Sequence, residues 1–293
     1  MYKAIDANKR NTVMIMAVFV GIIGAVGWAV SYYYGNRDIA YFVIAIAAIY
    51  ALIQYFVANK LLVAMTGARE IVKNDNPRYY RIVENLAITT GIQTPKVYII
   101  DDTAPNAMAS GRDPKHSMVA ATTGLIEIMD DQELEAVMAH EMGHVQNYDI
   151  RVSMITFGLV SAIGLLSDIV LRMMFFGGDR RENNNSSPVI MIIGIVVLVL
   201  APIIAMIVQL AVSRQREYLA DATGALTTRN PEALASALEK LEQYGKPMKK
   251  QNSASAHLFF SNPLKSGGIS KLFSTHPPLK DRIARLRGNA NKF

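Results

Sequence analysis

The 293-residue chain contains no cysteine. Disulfides, thiolate metal sites and a cysteine nucleophile are therefore excluded, and any metal centre must be assembled from histidine, aspartate and glutamate. Charge is scarce as well. Charged residues make up 18% of the chain, below the usual quarter of a soluble domain, and the shortfall points to a protein partly solvated by lipid. Lysine and arginine outnumber the acids 30 to 24, for a formal charge of +6; an excess of that sign suits nucleic acid or anionic lipid. The basic residues stand beside apolar runs, and no basic patch is interleaved with aromatics. Lipid is thus the expected partner and nucleic acid is not. The first apolar run lacks a small-residue cleavage site ahead of the next one, so no cleavable leader is expected. No internal repeat is evident beyond two apolar hairpins.

What the chain does have is four apolar runs, at 12–34, 39–58, 152–171 and 189–212. The first two are joined by the turn Gly35-Asn36-Arg37-Asp38, and each has about twenty residues, enough to cross a bilayer as a helix. The third is interrupted by Ser153, Thr156, Ser161, Ser167 and Asp168, and a polar loop at 177–187 separates it from the fourth. This order predicts a transmembrane hairpin over 1–60, the first part of a soluble domain over 61–150, a second hairpin over 151–212 and the rest of the domain over 213–293. Lys3, Lys9 and Arg10 precede the first run, Lys60, Arg69 and Lys73 follow the second, and only Arg37 lies between, beside Asp38. The positive-inside rule then puts the soluble parts in the cytoplasm. The second hairpin is open to two readings. Its arms are long enough to span, whereas Arg172, Arg180 and Arg181 in and near its loop oppose translocation.

Within the soluble parts, helical spacing runs over 70–90 with Gly91 as a stop. Short strands are predicted at 95–100, 107–110 and 117–122. Asp130 and Glu133 form a capping-box pattern that opens a helix reaching about Asn147. Further helices run through Glu217 to Leu226, from Pro231 to Tyr244 and from Leu279 to Leu286.

The helix after Asp130 carries His140-Glu141-Met142-Gly143-His144. Two histidines four apart project from one helix face and can share one zinc ion, and Glu141 is close enough to take a proton from a water that the metal activates. A catalytic zinc needs a third protein ligand. Glu217 is the best candidate, at the start of a helix directly after the fourth apolar run, with Asp221 one turn further on the same face. Metal-bound histidines usually give their second N–H to a carboxylate, which makes Asp221 the expected orienter. Gly143 would let another element approach closely.

Four motifs together resemble the HtpX family of membrane-integrated zinc metalloproteases, which is related to the CAAX prenyl protease family. They are His140 to His144, Asn106-Ala107-Met108-Ala109-Ser110-Gly111, Arg214 to Asp221, and Thr275-His276-Pro277-Pro278. The likeness covers nearly the whole length. It implies a multi-pass α-helical membrane protein with an α+β gluzincin-type (zincin) catalytic domain, in the plasma membrane of a bacterium. It also implies one Zn2+ per chain held by His140, His144 and Glu217, with Glu141 as general base. The substrates it implies are polypeptides, membrane proteins in need of quality control.

The motif at 106–111 matches that family's substrate-binding edge strand. An exposed edge offers unpaired N–H and C=O groups to which an extended peptide can add, so Asn106, Ala107, Met108 and Ala109 are candidate substrate contacts. His276, in a loop stiffened by two prolines, either donates to an oxyanion or fixes the loop. His116 is expected to be exposed and His257 to serve in packing. Two rivals remain: a pseudoprotease scaffold, which the intact Glu141 opposes, and a metal carrier, which the position of the histidines outside the apolar runs opposes.

Overall fold

The computed structural model describes residues 2–176, 214–250, 252, 254–264 and 277–290. The polar loop, the fourth apolar run and His276 lie outside these. Two long helices come first, α1 (Tyr2–Tyr34) and α2 (Asp38–Thr66). Both are long and apolar enough to cross a membrane. They leave Trp28, Tyr41, Phe42 and Phe56 largely exposed, the surface that lipid rather than water would cover. Each helix outruns its apolar run: α1 begins ten residues before residue 12 and α2 continues to Thr66, where Gly67 adopts a left-handed cap at φ 72°.

A four-stranded sheet follows, built from β1 (Arg69–Glu70), β2 (Lys96–Ile100), β3 (Ala107–Gly111) and β4 (Ser117–Thr122) in the order β1-β2-β4-β3. β2 and β4 run parallel, and β3 lies antiparallel to β4 at one edge. The helix expected over 70–90 is shorter: α3 spans Pro77–Thr90, and Glu70 belongs to a strand. Local chemistry sets that start. Asn76 accepts the Tyr79 N–H, and Pro77 occupies the first turn, where its missing N–H costs nothing. After β4 come a short α4 (Thr123–Ile128), α5 (Asp131–Gln146) and α6 (Asp149–Phe176), then α7 (Arg214–Thr228), α8 (Pro231–Tyr244) and α9 (Leu279–Gly288). The capping box at Asp130 and Glu133 is formed in both directions.

Alternation along the strands sends side chains to two cores. Val97, Ala107, Val119 and Ala121 face a cluster with Leu86 of α3, Leu134, Val137 and Met138 of α5, and Leu238 of α8. Tyr98, Ile100, Met108, Met118 and Ala120 face a second cluster with Leu62 of α2, Val152, Ile155 and Phe157 of α6, and Ile15 and Phe19 of α1. Each fully buried side chain of this size contributes about 1.5–3 kcal/mol. The sheet is thereby clamped between α3, α5 and α8 on one face and α1, α2 and α6 on the other. In the first half of α6 Thr156 and Ser161 are buried, so these two polar interruptions do not make an exposed face.

Candidate metal centre

α5 and α7 lie against each other at their metal-binding residues. A Cβ on Gly224 would stand 3.0 Å from the His140 backbone nitrogen, and one on Gly143 would meet Thr223 at 3.4 Å. Gly143 thus serves close approach as expected, but the tighter contact is at Gly224, unmarked in the sequence by any motif. This approach brings Glu217 of α7 over the histidine face of α5. The two Nε2 atoms of His140 and His144 are 3.1 Å apart. Glu217 reaches them at 3.8 Å from His140 and 3.6 Å from His144. One ligand atom from each of the three lies within 4.8 Å of the others.

The donor set fits zinc. Ligands at about 2.0–2.1 Å in a tetrahedron stand about 3.3 Å from one another, close to these separations. The other ring nitrogens are engaged so that both Nε2 atoms are left to converge. His140 Nδ1 donates to Asp221 Oδ1 at 2.9 Å, and His144 Nδ1 donates to Asp149 Oδ2 at 3.0 Å. Asp221 therefore sits where its spacing from Glu217 placed it.

Asp149 and Arg282 were not anticipated. α5 ends at Gln146, within a residue of the end that its pattern predicts, and Tyr148 then takes a left-handed conformation at φ 61°. Such a backbone in an aromatic residue costs roughly 1–3 kcal/mol. The turn swings the chain back so that Asp149, the first residue of α6, lies under His144. The sequence signal was an aspartate five residues past a ligand, a spacing that only a broken helix can use. Arg282 of α9 is fully buried. It grips Asp221 with Nε at 2.9 Å and Nη2 at 2.6 Å, approaches Glu217 Oε2 at 3.9 Å and lies over the Phe260 ring at 4.7 Å.

These surroundings pull the titratable groups apart. Burial drives the His140 imidazole down to about 4, against the pull of Asp221. Burial opposes protonation of His144 as well, but the Asp149 hydrogen bond and the charges of Glu217, Asp149 and Glu141 carry it up to about 9. Burial raises the Asp221 carboxyl, yet Arg282 and His140 outweigh it and hold the group at about 2. Glu141 is driven up to about 7 by burial, with Glu217 pushing the same way and His144, Arg282 and the Ala109 N–H opposing.

The edge strand is where the motif placed it, beside Glu141, but it is not open. Asn106 to Ser110 are all buried. Phe260 N–H donates to the Ala107 carbonyl at 2.8 Å, and Met108 and Phe259 form an antiparallel bridge. The Asn106 side chain secures this segment from both directions, donating to the Ser261 carbonyl at 2.8 Å and accepting its N–H at 3.0 Å. The edge attracts a strand for the reason expected; a segment of the same chain has taken it. Leu258, Phe259 and Phe260 line the same cavity as His140, Glu141, His144 and Glu217, and Phe260 meets the His140 ring edge-on at 4.8 Å. His257, buried as expected of a packing residue, also lines it and is held to the Ser153 carbonyl at 3.1 Å. His116 is exposed and bonded to Asp113, as expected.

The model of peptidase family M48 matches residues 73–290. A protease HtpX homolog of Tropheryma whipplei (strain Twist) is 57% identical over 296 residues, covering 100% of both chains. One from Streptococcus pneumoniae (strain Hungary19A-6) is 47% identical, covering 98% of this chain and 99% of the relative. The crystal structure of S. mikatae Ste24p superimposes with a TM-score of 0.52 over 98% of this chain and 67% of that one, at 19% identity, a likeness of fold. With a His-His-Glu triad fit for zinc on two facing helices and these matches over most of its length, the chain belongs to peptidase family M48, among its HtpX homologues.

Proposed function

We propose that this zinc metalloprotease is an endopeptidase of membrane proteins, removing misfolded or damaged ones, with Glu141 as general base and the site on the cytoplasmic side of a bacterial plasma membrane. The observation that carries the reading is the site's place in the fold. His144 is oriented by the first residue of α6, and the sheet above the site packs its other face on α1, α2 and α6. Polypeptide emerging from a bilayer would meet the site at once. The four-part division at 60, 150 and 212 belongs to the same reading, with both hairpins spanning.

Zinc held by His140, His144 and Glu217 supplies Lewis acidity toward a carbonyl and makes water a stronger acid. Glu141, poised at about 7, takes the proton of the attacking water and returns it to the leaving amine as the C–N bond breaks. The substrate lies antiparallel along β3, contacting Asn106, Ala107, Met108 and Ala109, in the place that Leu258 to Phe260 hold in this conformation. Asp221 keeps His140 in the tautomer that the metal needs. Of the two roles open to His276 in its proline-stiffened loop, oxyanion contact and fixing the loop, the first is the one that would serve this chemistry.

Glu141→Gln should keep its zinc and lose about 10²–10⁴-fold in peptide hydrolysis, measured as metal content and turnover of an unfolded protein in detergent. Parent turnover would remove Glu141 from the chemistry. Orientation is tested separately, since the chain has no cysteine of its own. A cysteine at Asn36 should react with an impermeant thiol reagent on intact cells, and one at Glu242 only after lysis; the reverse pattern rejects a cytoplasmic site.

A further inference from the structure

One polar side chain on the first membrane helix has no place in the chemistry described so far. Asn8 of α1 is 3% exposed, although it stands 141 residues from Asp149 in sequence. Its amide gives one N–H to the Asn147 carbonyl at 2.8 Å and the other to Asp149 Oδ1 at 2.6 Å. The second oxygen of Asp149 is left to receive His144 Nδ1 at 3.0 Å. Two demands meet in this one side chain. Asn147 and Tyr148 form the strained turn between α5 and α6, and Asn8 holds its carbonyl. Asp149 must keep one oxygen aimed at His144, and Asn8 occupies the other. The neighbouring Lys9 adds to the grip, its ammonium 5.2 Å from the centre of the Tyr148 ring. Thr12, one turn on, donates to the Asn8 carbonyl at 2.9 Å.

We infer that Asn8 is a positioning residue for the zinc site, acting through Asp149 on His144, so that the first membrane helix completes the metal centre. A side chain that only filled space would need no donor, and an apolar residue of its size would leave the Asn147 carbonyl and an Asp149 oxygen buried without this partner. An amide is the group that meets both acceptors at once. The result is a relay from α1 to the metal ligand with one bond at each step, entirely inside the protein.

The test is zinc affinity of the full-length chain in detergent, by competition with a chelator. Asn8→Ala should weaken zinc about tenfold and Asp149→Ala by up to about a hundredfold, the range for groups that orient metal ligands. In the double variant the loss should equal that of Asp149→Ala alone, because Asn8 acts through that carboxylate. Ile15→Ala, on the same helix and equally buried, should keep parent affinity; among the activity constants, Asn8→Ala should lower kcat and leave KM unchanged. Asn8→Asp keeps the size and faces a carboxylate with a carboxylate, so it should weaken zinc more than Asn8→Ala. Parent affinity in either Asn8 variant, or losses that multiply in the double variant, overturns the assignment. Should the alanine variant fail to accumulate, the Asn8→Asp result decides it alone.

Discussion

The two histidines of the metal site are four residues apart on one helix, yet they are supported in opposite ways. His140 leans on Asp221, which is locked by the fully buried Arg282, so its half of the site is an ion-paired network inside the catalytic domain. His144 leans on Asp149, which is held by an amide from a membrane helix across a strained turn, with Arg216 at 3.8 Å as the nearby cation. The first histidine is pushed down to about 4 and the second up to about 9. Equal ligands in a sequence motif are therefore unequal in the fold: one is secured by charge from within the domain, the other by how the domain is joined to its membrane helices.

The largest effect should come from locking the segment that lies against the His140 side. Met108→Cys with Phe259→Cys places two thiols on facing positions of an antiparallel bridge, a pair that a disulfide can span. Oxidised, this variant should be as inactive as Glu141→Gln while keeping its zinc; reduced, it should recover. Activity in the oxidised form would show that substrate enters without displacing Leu258 to Phe260.

Next comes the contrast between the two orienting carboxylates. Asp221→Ala and Asp149→Ala should both weaken zinc, by about 10–100-fold, but the cation left by the first, Arg282, is fully buried and bonded to Asp221 at 2.6 Å, whereas Arg216 stands 3.8 Å from Asp149 and keeps some exposure. The stability of Asp221→Ala should fall by about 3–5 kcal/mol, with a clearly smaller loss for Asp149→Ala. Thermal unfolding of the zinc-free proteins measures this, and equal losses would erase the distinction between a charged and a neutral support.

The smallest effect provides a baseline on the same helix. Glu133, at the opposite end of α5, accepts from Ser236, Lys240 and the Asp130 N–H. Burial raises its carboxyl, but these partners outweigh it and hold the group below its ordinary 4.5. A depressed carboxylate stabilises the fold above its unfolded pKa, and that contribution disappears as the pH falls through the folded value. Glu133→Gln should thus cost about 1–2 kcal/mol at neutral pH and nothing in acid below that window, with zinc affinity unchanged throughout. A pH-independent difference would show that the charge of Glu133 is not what matters.

Local pattern was enough for much of this protein. Two ligands and a base within five residues follow from helical spacing, and Glu217 with Asp221 repeats that logic one turn apart. Long apolar runs announce the first two helices, and the capping box at Asp130 marks the start of α5. Where the apolar spacing misleads, a neighbouring signal corrects it: Asn76 and Pro77 start α3 later than the spacing does. Four features needed the tertiary structure. Asp149 reaches His144 only because the helix breaks at Tyr148. Arg282, Asn8 and the bridging segment around Phe259 come from parts of the chain far away. Helical and strand periodicity are set by neighbours a few residues apart, so a single sequence displays them. Which distant donor meets a buried carboxylate, and which segment fills a sheet edge, depends on how whole elements pack, and no local spacing encodes that choice.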